Sequence, residues 1–140
     1  MRIVLDTDVL VAAVRSPTGA SRIVLNAIGD RRLEAAATTA LMLEYEAVLK
    51  RPEHLKAANL EREDVDTILN VLTDRLIPVH PDFLWRPQLQ DPADELVLEA
   101  AVNGSASAIV TFNVRHLHPA AARFGKAVLR PAELVRGWRG

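Results

Sequence analysis

Two short apolar runs, Ile3-Val4-Leu5 and Ala108-Ile109-Val110-Thr111, limit the fold more than any other feature of the chain. A strand with one wet face alternates apolar and polar residues, because successive side chains point to opposite sides. Runs that fail to alternate belong to strands covered on both faces, the situation in parallel sheets flanked by helices. Helical spacing fills the chain between them. From Glu61 to Leu76 the apolar positions Val65, Ile68, Leu69, Leu72 and Leu76 fall at i, i+3, i+4, i+7 and i+11. Strands alternating with helices imply βα units, so the predicted class is α/β with a central parallel sheet.

The remaining elements follow from turn and capping residues. A short helix is predicted over Val9 to Val14, and Ser21 is placed to cap a second one that runs through Ile28 to Gly29. Leu33 to Ala37 suits a second strand. Thr38 or Thr39 caps the next helix, whose buried stripe is Leu41, Tyr45, Val48 and Leu49 and which ends near Arg51, because Pro52 follows. Ile77-Pro78-Val79 suits an edge strand, where proline is tolerated, and His80 to Asp91 reads as a loop. Asp94 is expected to open a helix that stops at Gly104. Lys126 to Leu129 suits a fifth strand, and Pro131 the first turn of a last helix.

Length and composition narrow the function classes. At 140 residues the chain is expected to form a single domain over residues 1–140. It has 17 basic and 18 acidic residues, so no global field draws in nucleic acid or an anionic membrane, and such a partner needs a local patch. The pairs Arg31-Arg32 and Lys50-Arg51, with Arg115, are candidates for that patch. The absence of cysteine excludes disulfide scaffolds, thiolate nucleophiles and cysteine-bound zinc. No run approaches a membrane span, and Asp6 breaks the first apolar run too early for a signal peptide, so a soluble cytoplasmic protein is expected.

In a parallel α/β sheet, ligands bind beyond the carboxyl ends of the strands, which directs attention to Asp6, with Thr7 and Asp8, and to Asn113. Glu44 and Asp94 are two further acids on helices. Hard cations such as Mg²⁺ and Mn²⁺ take oxygen ligands from a few carboxylates, water and substrate phosphate. Each residue also has a plain structural reading: a cap or turn for Asp6, an exposed helix position for Glu44, an N-cap for Asp94. Asp91 before Pro92 reads as an ordinary turn residue. His116 and His118 lack the spacing of a zinc site and read as surface residues, and no P-loop, dinucleotide fingerprint or GxSxG elbow is present.

The order Ile3-Val4-Leu5-Asp6-Thr7-Asp8, Leu43-Glu44-Tyr45-Glu46, Asp91-Pro92-Ala93-Asp94-Glu95 and Val110-Thr111-Phe112-Asn113 resembles the PIN domain. The likeness is strongest to bacterial VapC-like PIN proteins, the toxin components of toxin-antitoxin systems, and it covers essentially the whole chain. It implies a three-layer fold with a central parallel sheet flanked by helices, and an acidic cluster that binds Mg²⁺ or Mn²⁺ for cleavage of single-stranded RNA. Carried over by position, Asp6, Glu44 and Asp94 are the acids, and Asn113 stands where many members have a fourth Asp. Asp8 falls where the family often has Asn or Ser. The amide at Asn113 removes one negative charge from the metal site, and Asp8 partly restores it. A homodimer and a cognate antitoxin are the partners the resemblance implies.

Three rivals carry over from the same residues. Asn113 also suits a PIN-like module that binds without catalysis. A receiver-type phosphorylation switch needs an Asp after a central strand and a late Lys that follows the final strand, whereas Lys126 precedes it. A small-molecule hydrolase built on the same acids is a third alternative.

Overall fold

The computed structural model describes residues 1–82 and 87–138. Residues 83–86, within the predicted loop from His80 to Asp91, lie outside the described residues, as do residues 139 and 140. The elements run β1 (Arg2–Leu5), α1 (Thr7–Arg15), α2 (Ala20–Gly29), β2 (Glu34–Thr38), α3 (Thr39–Leu49), α4 (Pro52–Ala58) and α5 (Arg62–Arg75). They continue with β3 (Ile77–Val79), α6 (Pro92–Asn103), β4 (Ala108–Val110), α7 (Val114–Arg123), β5 (Ala127–Leu129) and α8 (Pro131–Trp138).

All five strands are parallel, in the order β3-β2-β1-β4-β5. The α/β class with a central parallel sheet flanked by helices is therefore observed. Ile3, Val4, Ala108, Ile109 and Val110 are all 0% exposed. Consecutive strand residues point to opposite faces, so complete burial of both runs means helices cover both sides. The chain lays down β1, β2 and β3 toward one edge, then returns through α6 to place β4 on the other side of β1. Reversal of strand order between β1 and β4 opens a crevice at their carboxyl ends, the ligand position of open α/β sheets.

Several local readings need correction. The first helix begins at Thr7, two residues before Val9, because the Asp6 side chain caps it. Ser21 is not the cap of α2; Gly19 is, and Ser21 is buried inside the first turn. Asp94 does not open α6 either. Asp91 accepts from the Ala93 N–H at 2.9 Å, and Pro92 and Asp94 are both in the first turn that it caps. Two helices, α4 and α7, stand where no helix was expected. The stripe on α3 is as predicted, with Leu41, Tyr45, Val48 and Leu49 buried.

Candidate active site

The site starts with backbone geometry. Leu5 and Val110 are register partners, and the Asp6 N–H donates to Val110 O at 2.9 Å, so the last bond of the β1–β4 ladder fixes where Asp6 leaves the sheet. Asp6 then turns the chain into α1. Its Oδ1 accepts from the Thr7 N–H at 2.7 Å and its Oδ2 from the Thr111 hydroxyl at 2.7 Å. Thr111, fully buried just past β4, also accepts from the Asn113 N–H at 2.8 Å. One threonine thus ties the exit of β4 to the exit of β1.

The other acids arrive from three helices. Asp8, in the first turn of α1, accepts from the Phe112 N–H through Oδ2 at 3.2 Å, while its buried Oδ1 has no hydrogen-bond partner. Glu44 stands on α3 beside Tyr45, whose hydroxyl donates to Leu5 O at 2.6 Å and pins α3 to the end of β1. That pin sets the half-buried Glu44 close enough for Asp6 to feel its charge. Asp94, 7% exposed, lies close enough to Asn113 for the amide to favour its charged form. Its neighbour Glu95 turns away and accepts from the Gln88 and Leu89 N–H groups.

Burial and crowding make these carboxylates reluctant acids. Burial first, and the charges of Asp91 and Glu44 after it, push Asp6 above the ordinary carboxylate range against the two hydrogen bonds it accepts. Burial and the charge of Asp6 raise Asp8 to about 7. Burial, Asp6 and Asp91 raise Asp94, opposed by His116 and the Asn113 amide. Tyr45 shifts upward through burial and the Asp6 charge and so stays a neutral donor.

Two buried acids and a half-buried one that repel one another, the last with an orphaned oxygen, suit a hard divalent cation. Among the described residues no three His, Cys, Asp or Glu side chains are gathered to hold such an ion unaided. The fit is to Mg²⁺ or Mn²⁺, which keep several waters and take one or two carboxylates together with substrate phosphate.

The structure brings Asp6, Asp8, Asp94 and Asn113 together, with Glu44 at the margin. Three contributors escaped the sequence reading. Thr111 gave no signal, because its partner Asp6 is 105 residues away. Asp91 caps α6 and adds its charge to Asp6 and Asp94. Phe112, 46% exposed, stands at the rim beside Asp8. The basic pairs go elsewhere. Arg31 and Arg32 precede β2 at the amino end of the sheet, and Lys50 is engaged by Glu46 and Asp66.

A family profile described as PIN domain matches residues 2–115, an interval that takes in all four acids and Asn113. The chain belongs to the PIN-domain family. In this PIN domain the acids therefore occupy the matched region, and only β5, α8 and most of α7 lie beyond it. Among solved structures it is similar to VapBC2 from Rickettsia felis, a crystal structure described as bound to a DNA fragment from their promoter. The TM-score is 0.61 at 14% identity, over 93% of this chain and 98% of the other. At that identity the likeness concerns the fold. No protein of curated function matches the chain in sequence. No described helix of this PIN domain is long and apolar enough to cross a membrane.

Proposed function

We propose that this PIN domain is a metal-dependent endoribonuclease that hydrolyses single-stranded RNA and serves as the toxin of a toxin-antitoxin pair. The observation that carries the reading is the set of buried and half-buried, mutually repelling carboxylates at the β1–β4 crevice, with Asp8 Oδ1 unpartnered. Asp6, Asp8 and Asp94 are the residues that would hold the ion, with Glu44 at the rim and Asn113 offering a carbonyl or orienting a water. A divalent ion bound there supplies Lewis-acid polarisation of the phosphodiester and lowers the pKa of water that attacks it. Thr111 keeps Asp6 in one orientation, and Tyr45 does the same for the helix bearing Glu44.

The exposed ring of Phe112 supports a single-stranded substrate, because unpaired bases stack on aromatic faces whatever their sequence. Likeness to VapBC2 supports an antitoxin-like protein partner, and a homodimer in a cytoplasmic setting belongs to the same proposal. A second reading, a PIN module that binds without cutting, is favoured by Asn113, a neutral amide near Asp94 where a fourth carboxylate would add charge.

Titration of Mn²⁺ and Mg²⁺ into purified protein with fluorescent single-stranded RNA decides between them. Cleavage that depends on the metal and disappears in Asp6→Asn supports the nuclease. Metal binding without cleavage moves the assignment to the binding module, and cleavage by Asp6→Asn at the wild-type rate removes Asp6 from the site.

A further inference from the structure

A cleft of about 500 Å³ opens directly off Asp94, between the segment that precedes α6 and one face of α7. Its volume is within the range of small-molecule sites, about 300–1,000 Å³. The α7 wall is made by His116, Pro119, Ala120 and Arg123, at i, i+3, i+4 and i+7, and therefore on one side of the helix. Leu89 and Gln90 form the facing wall, and Glu95 holds that wall in place through the Gln88 and Leu89 N–H groups. The cleft is thus preformed, lined by apolar Leu89, Pro119 and Ala120, by the amides of Gln88 and Gln90, by the carboxylates of Asp91 and Asp94 at the crevice end, and by His116 and the Arg123 guanidinium.

Charge distribution points to what it takes. The protein has a net charge of −1, and its acids crowd the catalytic crevice, so a polyanion needs a local foothold. Arg31 and Arg32 are at the wrong end of the sheet, Lys50 is spent on Glu46 and Asp66, and Arg115, exposed in the first turn of α7, does not line the cleft. Arg123 is exposed, makes no salt bridge among the described residues, and lines the one wall that leads to Asp94. Seven residues of helix put Arg123 about 10 Å along the axis from His116.

We propose that this cleft seats the nucleotide next to the scissile linkage of a single-stranded RNA. Arg123 holds that nucleotide's phosphate, and its sugar and base lie on Pro119, Ala120 and Leu89. Arg123 is a positioning residue, and the assignment rests on the nuclease reading above.

The test measures anisotropy of a short fluorescein-labelled single-stranded RNA over a range of sodium chloride, on Asp6→Asn protein so that the probe stays intact. Arg123→Gln added to that protein is expected to weaken binding about fivefold at low salt and to reduce the slope of log K against log salt by about 0.7, the share of one phosphate on a single strand. Arg123→Lys keeps the slope, and Arg31→Gln changes neither quantity. In cleavage by otherwise wild-type protein, Arg123→Gln raises KM with kcat within about twofold, as loss of uniform binding requires. Unchanged affinity and slope in Arg123→Gln, or an equal loss in Arg31→Gln, overturns the cleft assignment. Binding through Arg123 by a protein that never cleaves RNA keeps the cleft and removes the nuclease reading. Cleavage that ignores Arg123 does the reverse, and absence of RNA binding removes both.

Discussion

At the amino end of the sheet the charged groups stand in water with partners: Arg2 faces Glu34 at 3.7 Å, and Arg32 faces Asp30 at 3.4 Å. At the carboxyl end Asp6 and Asp94 are buried and Asp8 is half-buried; the three repel one another and leave one oxygen unbonded. The same strands connect the two ends, so packing alone does not account for the difference. Surface pairs of the first kind contribute about 0–1 kcal/mol, whereas desolvated like charges work against folding unless something neutralises them. Stored repulsion of this kind suits the cation that the proposed function requires, and the amino end stores none.

The largest effect expected away from the crevice is at Gly104. A Cβ there would lie 2.7 Å from Ala100 O, 2.9 Å from Val79 Cγ2 and 3.3 Å from Ala36 Cβ, where α6 ends against the sheet. The backbone oxygen cannot swing aside, so Gly104→Ala should cost about 3 kcal/mol by overpacking. Denaturant melts give the loss, and the kcat of the molecules that remain folded should not change. A drop in kcat at full folding would show that the two ends are coupled.

Next in size is the pH dependence of the carboxyl end. A carboxyl whose folded pKa is above its unfolded value binds more protons in the folded state, so stability falls as pH rises between the two values. For Asp8 that window runs from about 4 to about 7. Chelator-treated protein is therefore expected to be more stable at pH 5 than at pH 8, by on the order of 2 kcal/mol once solvent screening of this half-buried group is allowed for. Asp8→Asn keeps the acceptor for the Phe112 N–H, so it should flatten the profile and be the more stable protein at pH 8. Mn²⁺ should raise the wild-type Tm more at pH 8 than at pH 5, since ligands must be deprotonated. A profile that rises toward pH 8 without metal would contradict the stored repulsion.

Much of this was legible in the chain because it depends on local pattern. Ile3-Val4-Leu5 and Ala108-Ile109-Val110 fail to alternate, and the structure buries them on both faces. Asp6 was marked by its position at the end of such a run. The order of acids was readable, but their convergence depends on α3 and α6 docking through Tyr45 and through the sheet, which no local pattern encodes. The helix α7 was hidden because Pro119 reads as a breaker and the buried positions other than Leu117 are the alanines Ala120 and Ala121, too small to mark a stripe. With it went the view of His116 and Arg123 as one wall. The cap of α6 was available: Pro92 favours the first helical position, which makes Asp91 the cap and frees Asp94 for the crevice.

The smallest expected effect tests how finely the crevice is balanced. The Asn113 amide near Asp94 lowers the cost of keeping that acid charged. Asn113→Asp replaces this amide with a carboxylate near Asp94 at the end of β4, adding repulsion in the absence of metal and an oxygen ligand in its presence. The two consequences have one sign for affinity: each extra unit of stored repulsion is released when a cation binds, and each extra oxygen holds it. Calorimetry with Mn²⁺ should show binding tighter by about tenfold, or about 1.4 kcal/mol, and chelator-treated protein should melt lower than wild type. Unchanged or weaker Mn²⁺ affinity would place Asn113 outside the reach of the ion, and the amide would then be a support for Asp94 alone.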